Sequence, residues 1–149
     1  LDVTNKYPND TYDGSPELAN NMLMVGALSP TYGTKMVAGF SNYGKNNVDI
    51  YAPGEKIYAT TPLNTYEYLQ GTSMASPNAA GVATLIRSYY PKLTAVQVKQ
   101  IMMESGTPLK NTVTVGEDKH KANFADVSKS GRIVNAYNAL ILAEIMSKK

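Results

Sequence analysis

Cysteine and tryptophan are absent from the 149 residues, phenylalanine occurs twice, and the single histidine is His120. Without cysteine there is no disulfide, no thiolate metal site and no cysteine nucleophile, although the compartment stays open. One histidine excludes a multi-histidine metal site within the chain. Charge of one sign is scarce as well: 14 Lys/Arg against 12 Asp/Glu leave a net +2. That excess is too small and too dispersed for a dedicated nucleic-acid binder. A membrane-spanning run is lacking. The longest charge-free stretch, Tyr68 to Ile86, has 19 residues but includes Gln70, Thr72, Ser73, Ser76, Pro77, Asn78 and Thr84, too polar for lipid. No signal peptide is visible, and the first residue is Leu1 rather than Met. The expectation is therefore a chain that begins inside a longer natural protein.

What is present is a globular composition, with 43% hydrophobic and 17% charged residues, in a length that suits one domain with a real core. Leu1 to Asn21 is rich in Asn, Asp, Pro and Gly and reads as a surface loop. Met22 to Leu28 is a short apolar run of the kind that forms a strand buried on both faces in a parallel sheet. Val48 to Ala52 reads as a second strand stopped by Pro53-Gly54. Lys56 to Thr60 and Tyr66 to Leu69 read as further strands, paired in a hairpin around Pro62-Leu63-Asn64. From Thr72 to Tyr90 apolar residues recur at helical spacing, and Pro91 ends the pattern. Thr94-Ala95-Val96-Gln97 is a capping box. It opens a helix with Val98, Ile101, Met102 and Ser105 on one face and Gly106 at its end. Lys110 to Ser130 reads as polar and irregular. Asn135 caps a last helix carrying Tyr137, Leu140, Ile141, Glu144 and Ile145. Strands followed by helices along one chain predict an α/β fold. Most of the 11 tyrosines are expected at core edges with their hydroxyls in water.

Chemistry concentrates in Gly71-Thr72-Ser73-Met74-Ala75-Ser76-Pro77. A tight entry leads to a serine at the start of a long helix, where free N–H groups and the positive dipole end point outward. Those donors suit the oxyanion that an attacking serine creates. Pro77 is expected in the first turn, where no N–H partner is needed. Taken alone, Gly-Thr-Ser before an Ala-rich helix is also what an ordinary N-cap looks like.

The longer string Gly71-Thr72-Ser73-Met74-Ala75-Ser76-Pro77-Asn78-Ala79-Ala80-Gly81-Val82-Ala83 closely resembles the active-site serine motif of the subtilisin-like serine proteases, the subtilase or S8 family. The likeness continues in family order. Val25-Gly26-Ala27 resembles a late core strand, and Ala38 to Gly44 the turn after it. Val48-Asp49-Ile50-Tyr51-Ala52-Pro53-Gly54 and Ile57-Tyr58-Ala59-Thr60 resemble the next strands, and Gly131-Arg132-Ile133-Val134-Asn135-Ala136 the entry to the closing helix. Together they cover about Met22 to Ala143. The resemblance implies a doubly wound parallel sheet with flanking helices and peptide-bond hydrolysis by an Asp-His-Ser triad. It implies that Ser73 is the nucleophile and that its N–H is an oxyanion donor assisted by the Thr72 hydroxyl. Gly71 would sit where the substrate backbone passes, with Met74 packed behind the serine. Asn78 departs from the residues common at that position, with no expected consequence.

The family's Asp, His and oxyanion Asn motifs, which precede the serine in chain order, occur nowhere in the chain. Residues 1–149 therefore look like the C-terminal part of the catalytic domain, inactive alone, whose partners are the missing N-terminal half and, through the intact parent, a polypeptide substrate. The resemblance places it outside the cytoplasm, and no cofactor or metal is implied. Two rivals remain: a non-catalytic module of the same fold, and a small α/β-hydrolase using Ser73, Asp118 and His120. The second is weak, because Asp118 and His120 lie two residues apart in a charged run that reads as a solvated loop. Asp49 reads as a turn or loop anchor, and no carboxylate cluster near it suggests a cation. If Met22 to Leu28 is an inner strand of the parent, its open edge predicts that the isolated chain self-associates or is only marginally stable.

Overall fold

A computed structural model describes residues 17–148; the expected loop up to residue 16 lies outside the described residues. The central sheet holds β1 (Val25–Leu28), β2 (Ile50–Pro53), β5 (Thr107–Pro108) and β8 (Arg132–Ile133) in the order β1-β2-β8-β5. β1, β2 and β8 run parallel and β5 is antiparallel to β8. The fold class is α/β, as the resemblance implies. The first strand is shorter than expected, and the second runs through Pro53 instead of stopping before it.

Neighbouring side chains on a strand point to opposite faces, and here they feed two separate cores. Ala27 and Ala52 face α1 (Thr72–Tyr89), α2 (Ala95–Ser105) and α3 (Ala136–Ser147). Leu28 and Tyr51 face the second core, with Val113, Val115, Phe124 and Val127. Among the described residues all three α-helices thus pack on one side of the sheet. The other side is covered by a hairpin of β6 (Thr112–Val115) and β7 (His120–Asn123) and the short 3-10 turn Phe124–Asp126. This corrects the reading of Lys110 to Ser130 as irregular. The alternation in Thr112-Val113-Thr114-Val115 is a strand period, with both valines buried. Tyr51 is fully buried and does not reach water; its hydroxyl donates to the carbonyls of Asn42 and Val127 instead.

The capping box of α2 forms as expected, with the Gln97 N–H donating to Thr94 Oγ1 and the Thr94 N–H donating to Gln97 Oε1. In α3 the cap is Asn135, again as expected, but the buried face is Ala139 and Ala143. Tyr137, Ile141 and Ile145 turn outward. Small alanines let helices approach closely, and α3 packs on both α1 and α2. The predicted hairpin is β3 (Ile57–Thr61) and β4 (Thr65–Leu69), joined by the turn Pro62–Asn64.

Candidate active site

The site is built on the junction between the end of β2 and the start of α1. Gly54, just past β2, donates its N–H to the Leu28 carbonyl at 3.0 Å, and its own carbonyl accepts the Gly71 N–H at 2.8 Å. The helix entry is thereby tied to the C-terminal end of the parallel strands, the end at which open α/β sheets place their ligands. A Cβ on Gly54 would lie 2.7 Å from Ala27 Cβ and 2.9 Å from the Gly71 oxygen. Only glycine lets the two segments meet. Gly71 has φ 145° and ψ 161°, backbone that residues with a side chain rarely adopt. Its carbonyl accepts from Met74 and Ala75, which starts the helix.

Gly71 is therefore the N-cap, and Ser73 is the second residue of α1. No side chain caps this helix, so Ser73 is not serving as an ordinary cap. It is exposed, while Thr72 and Met74 are half-buried and Ala75 is buried. Among the described residues no hydrogen bond engages the Ser73 hydroxyl, the Ser73 N–H or the Thr72 hydroxyl. First-turn N–H groups have no intrahelical acceptor and carry the positive end of the helix dipole. A serine oxygen and free donors thus share one exposed helix start.

Pro77 sits in the second turn, not the first. The N–H it lacks is the one that would reach the carbonyl of Ser73, four residues earlier. Asn78 has a definite role: its Nδ2 donates to the Pro53 carbonyl at 3.0 Å and to the Met74 carbonyl at 3.1 Å. It is a second tie between α1 and the end of β2.

His120 is exposed in β7, Asp118 lies in the turn before it, and no hydrogen bond joins either to Ser73 or to the other. Asp49 is a buried anchor. One carboxylate oxygen accepts the Met24 N–H at 2.8 Å and meets the Lys99 ammonium at 3.1 Å. Lys99 also reaches Glu17 at 3.0 Å, and Glu17 binds Lys129. Burial raises the Asp49 carboxyl above its ordinary range against the pull of Met24 and Lys99. Burial also works against the Lys99 ammonium, but Glu17 and Asp49 outweigh it and hold its pKa above the usual lysine value. Sequence reasoning missed Lys99, which occupies the buried face of α2 with only a charged residue's name to show for it. Among the described residues no group of three His, Asp or Glu side chains is placed to hold a metal, and no helix is long and apolar enough to cross a membrane.

Comparison with known proteins agrees with this architecture. The Subtilase family model matches residues 3–124. Subtilisin DY of Bacillus licheniformis is 40% identical over 104 residues, 70% of this chain and 36% of that protein. The A-subunit of the AB5 toxin from E. coli superposes with a TM-score of 0.64 at 26% identity, covering 81% of this chain and 37% of that one. Fervidolysin from Fervidobacterium pennivorans, a keratinolytic enzyme related to subtilisin, superposes at 0.62 with 26% identity, over 81% of this chain and 19% of that one. The chain spans about a third of the length of subtilisin DY. With the match extending over most of its residues, the chain belongs to the Subtilase family of serine proteases.

Proposed function

We propose that Ser73 is the nucleophile of a subtilisin-like endopeptidase and that residues 1–149 are the C-terminal part of its catalytic domain. The carrying observation is the uncapped start of α1, where an exposed serine hydroxyl and free N–H donors stand together without protein partners. In this reading Ser73 attacks the scissile carbonyl, an imidazole from the upstream part takes its proton, and water releases the acyl-enzyme. The Ser73 N–H and the Thr72 hydroxyl face the developing oxyanion, and Gly71, lacking a side chain, leaves room for the passing substrate backbone. Asp118 and His120 do not supply the acid and base, since neither hydrogen-bonds the serine. The single histidine of the chain is thus not its base, and the chain alone does not hydrolyse peptides.

Two surfaces suit the complementary part of the domain. Pro77, Ala80, Gly81, Thr84, Leu85 and Ser88 form one uncharged, exposed stripe along α1. The outer edge of β1 is joined by no further named strand among the described residues; its Ala27–Leu28 end is met by residues 36–41, and its Val25 end is the open part. In this reading a polypeptide is the substrate and the parent acts outside the cytoplasm, a reading that its likeness to subtilisins supports.

The test uses a fluorophosphonate probe. The intact parent should label at Ser73 and lose labelling and casein hydrolysis in Ser73→Ala. Labelling that persists in that variant overturns the assignment. Labelling of the 149-residue chain at the rate of an intact subtilase overturns the need for an upstream base.

A further inference from the structure

Ser73 stands in a turn that its own helix holds weakly. Gly71 caps α1 without a side-chain bond, and Pro77 brings no N–H to the carbonyl of Ser73. An ordinary helix start is held by its cap and by the i→i−4 bonds that follow, and both are reduced at the candidate nucleophile. What holds the turn comes from outside the helix, from two successive carbonyls at the end of β2. The Gly54 carbonyl accepts the Gly71 N–H at 2.8 Å, two residues before Ser73. The Pro53 carbonyl accepts Asn78 Nδ2 at 3.0 Å, five residues after it. The anchor is itself fixed, since the Gly54 and Glu55 N–H groups both donate to the Leu28 carbonyl at the end of β1, at 3.0 and 3.1 Å.

The two ties differ in kind. The Gly71 bond joins backbone to backbone, whereas the Asn78 bond rests on one side chain. A primary amide carries two hydrogens on its nitrogen. Asn78 donates one to the Pro53 carbonyl and, at 3.1 Å, the other to the carbonyl of Met74, the residue next to Ser73. The amide thus links the turn that carries the hydroxyl to the end of the strand. Asn78 is exposed and is not among the buried residues of α1, which are Ala75, Ala79 and Ile86. Asparagine is also a poorer helix former than alanine or leucine. Neither core packing nor helix propensity therefore accounts for an amide at this position, and its two bonds do.

We propose that Asn78 is a positioning residue for Ser73, its two bonds fixing where the serine hydroxyl stands relative to the Pro53–Gly54 strand end. The proposal rests on the reading of Ser73 as the nucleophile, and the test separates the two. A misplacement of about 1 Å costs on the order of a hundredfold in rate, and with the Gly71 tie still in place a loss of about tenfold is expected. In the intact parent, Asn78→Leu keeps the size of the side chain without donors or charge. It should lower kcat on a peptide anilide and the rate of fluorophosphonate labelling by about tenfold, with KM and the midpoint of the pH–rate profile unchanged. Asn78→His places Nδ1 where the amide nitrogen stands and restores one donor, so it should regain most of the lost rate. If circular dichroism shows Asn78→Leu to be misfolded, Asn78→Ala takes its place. In the 149-residue chain the same substitution should speed hydrogen exchange of the Met74 and Ala75 amides, which donate to the Gly71 carbonyl, and leave the Tyr90 amide at the far end of the helix unchanged. A rise in KM at constant kcat, a shifted pH midpoint, no recovery in Asn78→His, or unaltered exchange at Met74 and Ala75 would each overturn the positioning role. Native labelling in Asn78→Leu with none in Ser73→Ala overturns the positioning alone. Labelling that persists in Ser73→Ala overturns the nucleophile, and the positioning with it.

Discussion

A methyl group at Gly54 has no space. It would meet Ala27 Cβ at 2.7 Å, the Gly71 oxygen at 2.9 Å and Ala75 Cβ at 3.1 Å. Two of those atoms belong to the buried sheet and helix and the third to backbone, so none swings aside. Gly54→Ala should destabilise the chain by about 1–3 kcal/mol, the usual cost of overpacking, read from the midpoint of a urea titration. In the intact parent it should also lower activity, because the strained contact pushes on Gly71 and through it on Ser73. Ser105 presents the opposite case. Its Oγ is buried without a hydrogen-bond partner among the described residues. A buried unsatisfied hydroxyl costs about 1–3 kcal/mol, so Ser105→Ala should raise stability by about 1 kcal/mol. At this scale the candidate nucleophile was legible, because the small-residue entry and the helix that follows are neighbours in sequence. The turn that Pro77 occupies was not. Placing it depends on Gly71 being the N-cap, which the tie from Gly71 to Gly54 settles.

Among the elements, α2 carries the clearest local signal and the least visible distant one. Its capping box joins residues three apart, and Thr94→Ala should cost about 1 kcal/mol in thermal or urea unfolding. Its Lys99, by contrast, ties the helix to Asp49 on the threshold of β2 and to Glu17, partners about fifty and eighty residues away along the sequence. The folded pKa of Lys99 lies above its ordinary 10.5. Its contribution is therefore complete below about pH 10 and is lost as pH rises through the folded value. On the acid side Glu17, held below its ordinary range by Lys129 and Lys99 in spite of burial, loses stabilising charge as pH falls through its folded pKa. Asp49, raised by burial, works the other way there, since protonation relieves it. The alkaline limb is the cleaner test. The melting temperature should fall above about pH 10.5 in the native chain. Lys99→Met should lack this extra fall and be less stable by about 3 kcal/mol at pH 7, because removing one partner leaves Asp49 buried with its charge unanswered. The β6–β7 hairpin teaches the same lesson from the other direction. Its alternation was present in Thr112-Val113-Thr114-Val115, but short polar strands earn their burial only against a surface, here that of Tyr51 and Phe124.

For the molecule as a whole, the edge of β1 decides behaviour in solution. In the parallel register the Met24 and Leu28 carbonyls serve the β2 side. Val25 and Ala27 face the other edge. Ala27 is covered there: its N–H donates to Ser41 Oγ and its carbonyl accepts the Ala38 N–H. The expected row of bare groups is thus half closed by residues 36–41, and Val25 remains at the opening. We expect the isolated chain to self-associate at micromolar concentration in sedimentation velocity, and Val25→Pro, which removes a backbone donor from the open edge as natural edge strands do, to shift it toward monomer. A native chain that sediments as a stable monomer would remove the edge as an interface. Helix starts and ends, the capping box, the β3–β4 hairpin and the serine motif all follow from residues within a few positions of one another, whose preferences act before the chain has folded. Which face of α3 is buried, where Lys99 finds its counter-charges, and how the 110–130 segment acquires a core all depend on segments far apart in sequence. Those outcomes are fixed by packing, desolvation and cross-strand register, which exist only once the layers have come together.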